Sequence, residues 1–273
     1  MKPKKDIVQI IHQDNNLVVI NKPSGVSVTK DRTGQKQLLD LLNPVLGPEA
    51  CDQLRLIHRL DKQTSGLLIL AKNLETQSKI STLFEKRQVK KIYLTLVAGY
   101  PSKTTGSIKA RLIRDKIRPD QMHVTRKKGK EAQTKWQLLA NFTAASLIAV
   151  YPVTGRTHQI RVHLPIARLP LLIDPLYGSD KPFFLSSIKK RYTTGKYQTE
   201  APLIEDMTLH AYQIQYCDPD TGEERLFLAP LPGKFKAAIK MLTKHNPQGQ
   251  DAFLEQRFFE DIINDRPLKD LSI

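Results

Sequence analysis

His58-Arg59-Leu60-Asp61-Lys62-Gln63-Thr64-Ser65-Gly66 runs straight into Leu67-Leu68-Ile69-Leu70-Ala71. The apolar run from Gly66 to Ala71 is continuous, not alternating, which predicts a strand covered on both faces. The polar stretch before it is then a loop that delivers one carboxylate, three potential cations and two hydroxyls to the end of a buried strand.

The neighbours extend this pattern on both sides. Leu17–Ile20 reads as another buried strand, ended by the turn-forming run Asn21-Lys22-Pro23-Ser24-Gly25. Gln37–Leu42 is expected to form a short helix that stops before Pro44. Asn73 is placed to cap a helix over about Leu74–Gln88, with Ile80, Leu83 and Phe84 on one side. From Lys91 to Ala98 the chain alternates, with Ile92, Leu94, Leu96 and Ala98 on one face and Lys91, Tyr93, Thr95 and Val97 on the other. Further strands are expected at 106–112, 131–140, 145–151, 208–216 and 224–229, and helices at 234–245 and 251–264. Many strands, few helices and no regular βαβ alternation predict an α+β fold on a mixed, largely antiparallel sheet flanked by helices and loops.

A basic arm over 1–11, one catalytic body over 12–245 and an amphipathic helical tail over 246–273 are the expected organisation. The tail carries six acids against three bases, and Leu254, Phe258 and Ile262 form its apolar stripe.

Composition narrows the function. The chain has 273 residues, 40% of them hydrophobic, and 43 Lys+Arg against 27 Asp+Glu leave a net charge of +16. That surplus favours a polyanionic partner, nucleic acid before an anionic membrane. The two cysteines, Cys51 and Cys217, are far apart and lack metal-ligand spacing, as expected of reduced thiols in a cytoplasmic protein. No apolar stretch approaches the roughly 18 residues of a membrane span, and the N-terminal apolar patch is too short for a signal peptide.

Two segments carry chemistry. In the first, cations flank Asp61, and flanking positive charge keeps a carboxylate ionised and suited to act as nucleophile or base. The second is Gly155-Arg156-Thr157-His158-Gln159-Ile160-Arg161-Val162-His163-Leu164, whose arginines and histidines suggest anion or phosphate contact. Thr157 is placed to cap a helix that buries Ile160 and Leu164 and turns Arg161 inward, with Pro165 keeping that helix short or kinked. No cluster of Asp, Glu or Cys accompanies the histidines, so a metal is not expected.

Together these segments resemble the RluA-type family of pseudouridine synthases. The family's HRLDxxTSG segment matches residues 58–66, its NKPxG turn 21–25, its KxY strand 91–93, its GRTHQIR segment 155–161 and its DPLYG 174–178. Leu209-His210-Ala211 and Pro230-Leu231-Pro232 are similar to its closing LHA strand and PLP turn. The resemblance covers roughly 12–235. It implies the pseudouridine synthase fold and isomerisation of uridine within ribosomal or transfer RNA, without cofactor or metal; a monomer is expected.

By the same resemblance Asp61 is the catalytic carboxylate, acting by attack at the sugar or by assisting loss of the 2′ proton. Arg161 pairs with it, Tyr93 stacks on the uracil, and Arg59 enters the RNA stack as the base leaves it. His58, Thr64, Arg156 and His158 are the further expected substrate contacts. The chain departs from the family near Arg168 and at Ile173, where glycines are usual, which puts the local backbone path in question. About a dozen residues precede the first expected strand, too few for an S4-like RNA-binding domain, and 186–205, with Lys189, Lys190, Arg191 and Lys196, reads as a basic insertion. Residues 101–135 hold eleven bases against three acids, making Arg126, Lys127, Lys128 and Lys130 the expected RNA-backbone contacts. A rival reading is an RNA-binding or chaperone protein on the same fold without catalysis. A glycosidic hydrolase is less favoured, since it wants a second carboxylate that these motifs lack.

Overall fold

The computed structural model describes residues 8–28, 37–193 and 199–271. In chain order its elements begin β1 (Gln9–Gln13), β2 (Leu17–Lys22), α1 (Leu38–Leu46), α2 (Pro48–Gln53), β3 (Arg55–Leu56), β4 (Ser65–Ala71) and α3 (Leu74–Glu85). They continue through β5 (Lys90–Val97), β6 (Thr105–Arg114), β7 (Met122–Thr125), β8 (Lys130–Asn141), β9 (Ser146–Pro152) and α4 (Gln159–Ile166). The last are β10 (Leu209–Cys217), β11 (Glu224–Leu228), α5 (Gly233–His245) and α6 (Gln256–Ile263). The chain divides into two compact units, Met1–Lys91 with Ala211–Pro230, and Ile92–His210 with Leu231–Ile273. Most of the arm at 1–11, and Lys196 of the basic insertion, lie outside the described residues.

In the first unit β2 lies antiparallel between β1 and β4, with Ile10 opposite Ile20 and Ile20 opposite Leu68. Every residue of β4 is buried, as its unbroken apolar run predicts. The core gathers Leu17, Val19, Leu67, Ile69, Ile214 and Phe227, and α3 covers it with Ile80, Leu83 and Phe84. Asn73 caps α3 as expected, its Oδ1 accepting the Thr76 amide at 2.8 Å. Gly66 carries a φ of +112°, and a Cβ there would lie 2.3 Å from the carbonyl oxygen of Ala211. β4 therefore starts with glycine because no side chain fits that approach.

In the second unit an antiparallel sheet runs β5-β9-β8-β6-β7. Tyr93 sits opposite Val150, Trp136 opposite the same Val150, and Leu112 opposite Val124. Val97, Trp136, Leu138, Ile148 and Val150 form a core with Ile160 and Leu164 of α4. The C-terminal segment packs on this unit, with the Leu254 amide bonded to the Leu139 carbonyl and Phe253 edge-on to Phe142.

Four local expectations are corrected. α1 continues through Pro44 to Leu46. The amide that proline lacks would have bonded the Asp40 carbonyl, on an exposed residue where water can replace it. The expected C-terminal helix breaks into a short 3-10 turn, Gly249–Ala252, and α6. Phe258 and Ile262 are fully buried, whereas Leu254 lies outside the helix and is 47% exposed, its place taken by the buried Phe253. Short edge strands β1 and β7 were not anticipated, since neither has a buried residue to mark an inward face. Thr157 does not cap α4; His158 stands at that position in the left-handed conformation, φ +52°.

The two departures from the family's glycines part ways. Ile173 is not among the non-glycine residues with positive φ, but Arg168 is, at +60°. It follows the end of α4, where Arg168 N–H bonds the Pro165 carbonyl and Leu169 N–H the Leu164 carbonyl. That pair of bonds is the Schellman ending of a helix, whose left-handed residue is usually glycine. An arginine thus stands in the left-handed place at the end of α4 and bears its strain.

Candidate active site

The loop carrying Asp61 belongs to the first unit and is fastened from beneath by the turn at 21–25. Lys22 has no exposed surface. Its ammonium donates to the carbonyls of Pro23 at 2.9 Å, Val26 at 3.0 Å and Lys62 at 3.1 Å. Burial pushes the Lys22 pKa down to about 7, against the opposing pull of the Asp61 charge. The Gly25 amide also bonds the Lys62 carbonyl at 2.9 Å, and the Ser24 hydroxyl the Gln63 carbonyl at 2.8 Å. Two motifs read separately in sequence are thus one structure, with Asp61 half-buried at its turn, where the Thr64 amide bonds the Asp61 carbonyl.

Around Asp61 the other expected contacts differ in character. Arg59 is exposed, and Thr64 is buried. The His58 Nε2 accepts the Ile69 amide of β4 at 3.1 Å, which places the ring proton on Nδ1. Its ring stacks on Phe84 at 4.6 Å, and Lys91 lies over the same Phe84 ring at 5.6 Å. Burial first, and Lys91 second, push the His58 pKa down to about 3, so this histidine stays neutral. It ties the loop to β4 and α3.

In the second unit α4 presents the other cluster. Arg161 is 2% exposed. Its Nε and Nη2 donate to Asp174 Oδ2 at 2.8 Å and Oδ1 at 2.7 Å, a bidentate fork. Asp174 Oδ1 also accepts the amides of Leu176 and Tyr177, at 2.9 and 3.3 Å, which turns the Tyr177 ring onto the guanidinium, 5.1 Å from ring centre to Cζ. Gln159 anchors the start of α4 with all its polar atoms used. Its Nε2 donates to the Gln133 carbonyl and the Thr134 hydroxyl, both at 2.9 Å, while its Oε1 accepts the Thr154 hydroxyl and the Arg156 amide. His163 bonds the same Thr134 hydroxyl and is held neutral by burial, its pKa down at about 4.

Tyr93 is half-buried on β5 against the unit's core. His158 meets the Tyr177 hydroxyl at 2.8 Å through Nδ1. Arg156 is exposed and bonds the Glu131 carbonyl through Nε at 3.2 Å. Arg126, Lys127, Lys128 and Lys130 are all exposed at the β7–β8 connection. Among the described residues no three His, Cys, Asp or Glu side chains gather as metal ligands.

The reading from residue types missed Lys22, Gln159, Asp174 and Tyr177 as working side chains. Each sat inside a quoted motif. For Lys22, Gln159 and Asp174 the available signal was a charged or amide side chain within a few residues of an apolar run, which in an interior must be bonded; Tyr177 gave none.

The RNA pseudouridylate synthase family model matches residues 16–165 of the chain. Ribosomal large subunit pseudouridine synthase D of Borreliella burgdorferi is 36% identical over 242 residues, covering 86% of this chain and 68% of the relative. Synthase D of Nitrosomonas europaea is 34% identical, covering 86% of this chain and 65% of the relative. Synthase C of Haemophilus influenzae is also 34% identical, with 86% and 68% covered. The chain thus spans about two thirds of the length of these relatives. Among solved structures, human RNA pseudouridylate synthase domain containing 4 superposes with a TM-score of 0.64 at 28% identity, over 86% of this chain and 92% of that one. Human RNA pseudouridylate synthase domain containing 1, at 24% identity and a TM-score of 0.65 over 85% and 87%, shares the fold.

Proposed function

The chain belongs to the RNA pseudouridylate synthase family, whose members isomerise uridine to pseudouridine, and we propose that this chain does so in large-subunit ribosomal RNA. The relatives' ribosomal names support that substrate over transfer RNA. The N1–C1′ bond of uridine breaks, the uracil turns, and C5 bonds C1′; the C5 proton leaves to water and N1 takes one up. All heavy atoms come from the substrate and no redox change occurs, so we assign no cofactor and no metal. No helix among the described residues is long and apolar enough to cross a membrane. Cytoplasmic work as a monomer completes the proposal.

Asp61 is the carboxylate that drives glycosidic cleavage. The observation that carries this assignment is the anchoring of its loop, whose Lys62 carbonyl is bound by the buried Lys22 ammonium that also holds the Pro23 and Val26 carbonyls. Tyr93 is the uracil-stacking aromatic and Arg161 the catalytic guanidinium. Exposed Arg59 is the side chain that replaces the departing base, Arg156 and His158 contact the target nucleotide, and Arg126, Lys127, Lys128 and Lys130 contact backbone phosphates. Thr64, being buried, and His58, spent on Ile69 and Phe84, support the loop.

Asp61→Asn in a tritium-release assay with 5-labelled uridine RNA tests the assignment. The variant is expected to fold, bind RNA and release no label. Activity within about tenfold of wild type, roughly 1.4 kcal/mol of barrier, would remove Asp61 from the chemistry. Free uracil would mark a hydrolase, and binding by wild type with no label released would mark a non-catalytic RNA-binding protein.

A further inference from the structure

The second unit holds one side chain in contact with both the basic hairpin and the catalytic guanidinium. The Tyr177 hydroxyl accepts the Met122 amide at 2.7 Å, and Met122 opens β7, the last strand of that unit's sheet. The same oxygen lies 2.8 Å from His158 Nδ1, and the His158 and Tyr177 rings meet edge to face at 5.6 Å. The Tyr177 ring carries the Arg161 guanidinium on its face, and Asp174 grips that guanidinium edge-on. Met122 and Tyr177 also pack on a small core of Leu112, Ala132 and Val162, joining β6, β8 and α4.

From this convergence we infer that Tyr177 is a positioning residue which couples engagement of RNA by the 101–135 hairpin to the alignment of Arg161 and His158. The inference rests on the reading of that hairpin as the RNA-backbone contact. A hydroxyl has one proton to give and lone pairs to accept with, so Tyr177 can hold the β7 backbone and the His158 ring together. A shift of β7 on an RNA backbone displaces the phenol, and the phenol is packed against the guanidinium. Arg161 faces Asp174 along one edge and Tyr177 across one face, so moving the ring moves the fork's preferred plane. Displacement of a catalytic group by about 1 Å is enough to change a rate severely.

Tyr177→Phe separates this role from a packing role, because it keeps the ring on Arg161 and deletes only the hydroxyl. In the RNA-free protein the Met122 amide should exchange with deuterium about tenfold faster or more, having lost its acceptor. With a fragment of large-subunit ribosomal RNA carrying 5-tritiated uridine, the single-turnover rate at saturating protein should fall about tenfold or more. The dissociation constant and its salt slope should stay within about twofold, since no phosphate contact is touched. RNA should still protect amides 109–125 but no longer those of 159–166. A single-turnover rate within about twofold of wild type would overturn the coupling, as would weakened binding with an unchanged saturating rate. If wild type binds the RNA and forms no pseudouridine, the catalytic reading fails alone, and protection decides the coupling. Equal protection of 159–166 in both proteins would then refute it. Wild type that gains no protection anywhere from the RNA would overturn both.

Discussion

Asp174→Asn should be among the most damaging single-atom changes in the second unit. The carboxylate accepts four bonds, two from the Arg161 fork at 2.8 and 2.7 Å and two from the Leu176 and Tyr177 amides at 2.9 and 3.3 Å. The exposures of the two side chains are 3% and 1%, so water cannot take over for either. An amide keeps one acceptor, turns an NH2 toward a guanidinium N–H, and removes the negative charge that the fork grips in a buried place. Removing one partner of such a pair costs about 3–5 kcal/mol. Urea unfolding followed by fluorescence of Trp136, the chain's one tryptophan and 94% buried in this unit's core, measures the loss directly. Arg161→Lys should also lose stability and nearly all activity, because an ammonium cannot span both oxygens. Pairing Arg161→Met with Asp174→Leu removes both charges and should cost less than Asp174→Asn alone, while pseudouridine formation stays absent. An Asp174→Asn loss below about 1 kcal/mol would refute the reasoning, because the pair would then not be desolvated.

Arg168→Gly should stabilise the protein by about 0.5–1 kcal/mol, the relief of left-handed strain outweighing the glycine's extra freedom when unfolded; thermal unfolding checks it, and a lower midpoint counts against the strain. Lys22 has a depressed folded-state pKa of about 7 against an ordinary 10.5, so the unfolded chain binds more protons between those values. The unfolding free energy of wild type minus that of Lys22→Met should therefore rise with pH above about 7, by up to about 1.4 kcal/mol per unit, and a difference flat from pH 6.5 to 9 contradicts it. Replacing Arg126, Lys127, Lys128 and Lys130 with Gln should weaken RNA binding and flatten its log–log salt dependence by about 0.7–0.9 per lost phosphate contact, with the saturating single-turnover rate nearly constant; an unchanged slope places the RNA elsewhere.

Strands whose burial pattern is long and uniform were legible from sequence. β4 is a continuous apolar run, and β8, β9 and β10 are long enough for their pattern to dominate local propensity. β1 and β7 were not, because neither short strand buries a single residue, so neither shows an inward face. The C-terminal stripe was assigned through Leu254 although Phe253 does the packing; the helix starts later than the period suggests, and a one-residue offset before a helix changes which side chain is inward. The motifs nominated Asp61, Tyr93 and Arg161 as site residues, but nothing in their spacing said that Lys22 would reach under Lys62 or that Asp174 would grip Arg161. Those partnerships depend on tertiary proximity, 40 residues apart in the first case and 13 in the second.

Buried ions tie down the Asp61 loop and α4. An apolar interior of similar volume would often be as stable or more so. Apolar contacts, however, are non-directional, and side chains that merely fill space leave a loop several near-equal arrangements. Lys22 binds carbonyls on both sides of a turn and one from the Asp61 loop, and a tetrahedral ammonium satisfies all three only when the two segments have one relative placement. Arg161 is limited in the same way by a planar fork on Asp174 and a ring across its face. Gln159 does it without charge, four bonds from one planar amide setting where α4 begins. Substitutions that swap these groups for well-packed hydrophobes should thus retain much of the stability and lose the geometry. The test that separates the two is to compare unfolding free energy with single-turnover rate in the same variants: if rate tracked stability through the Arg161→Met, Asp174→Leu and Lys22→Met series, the buried ions would be serving only the fold.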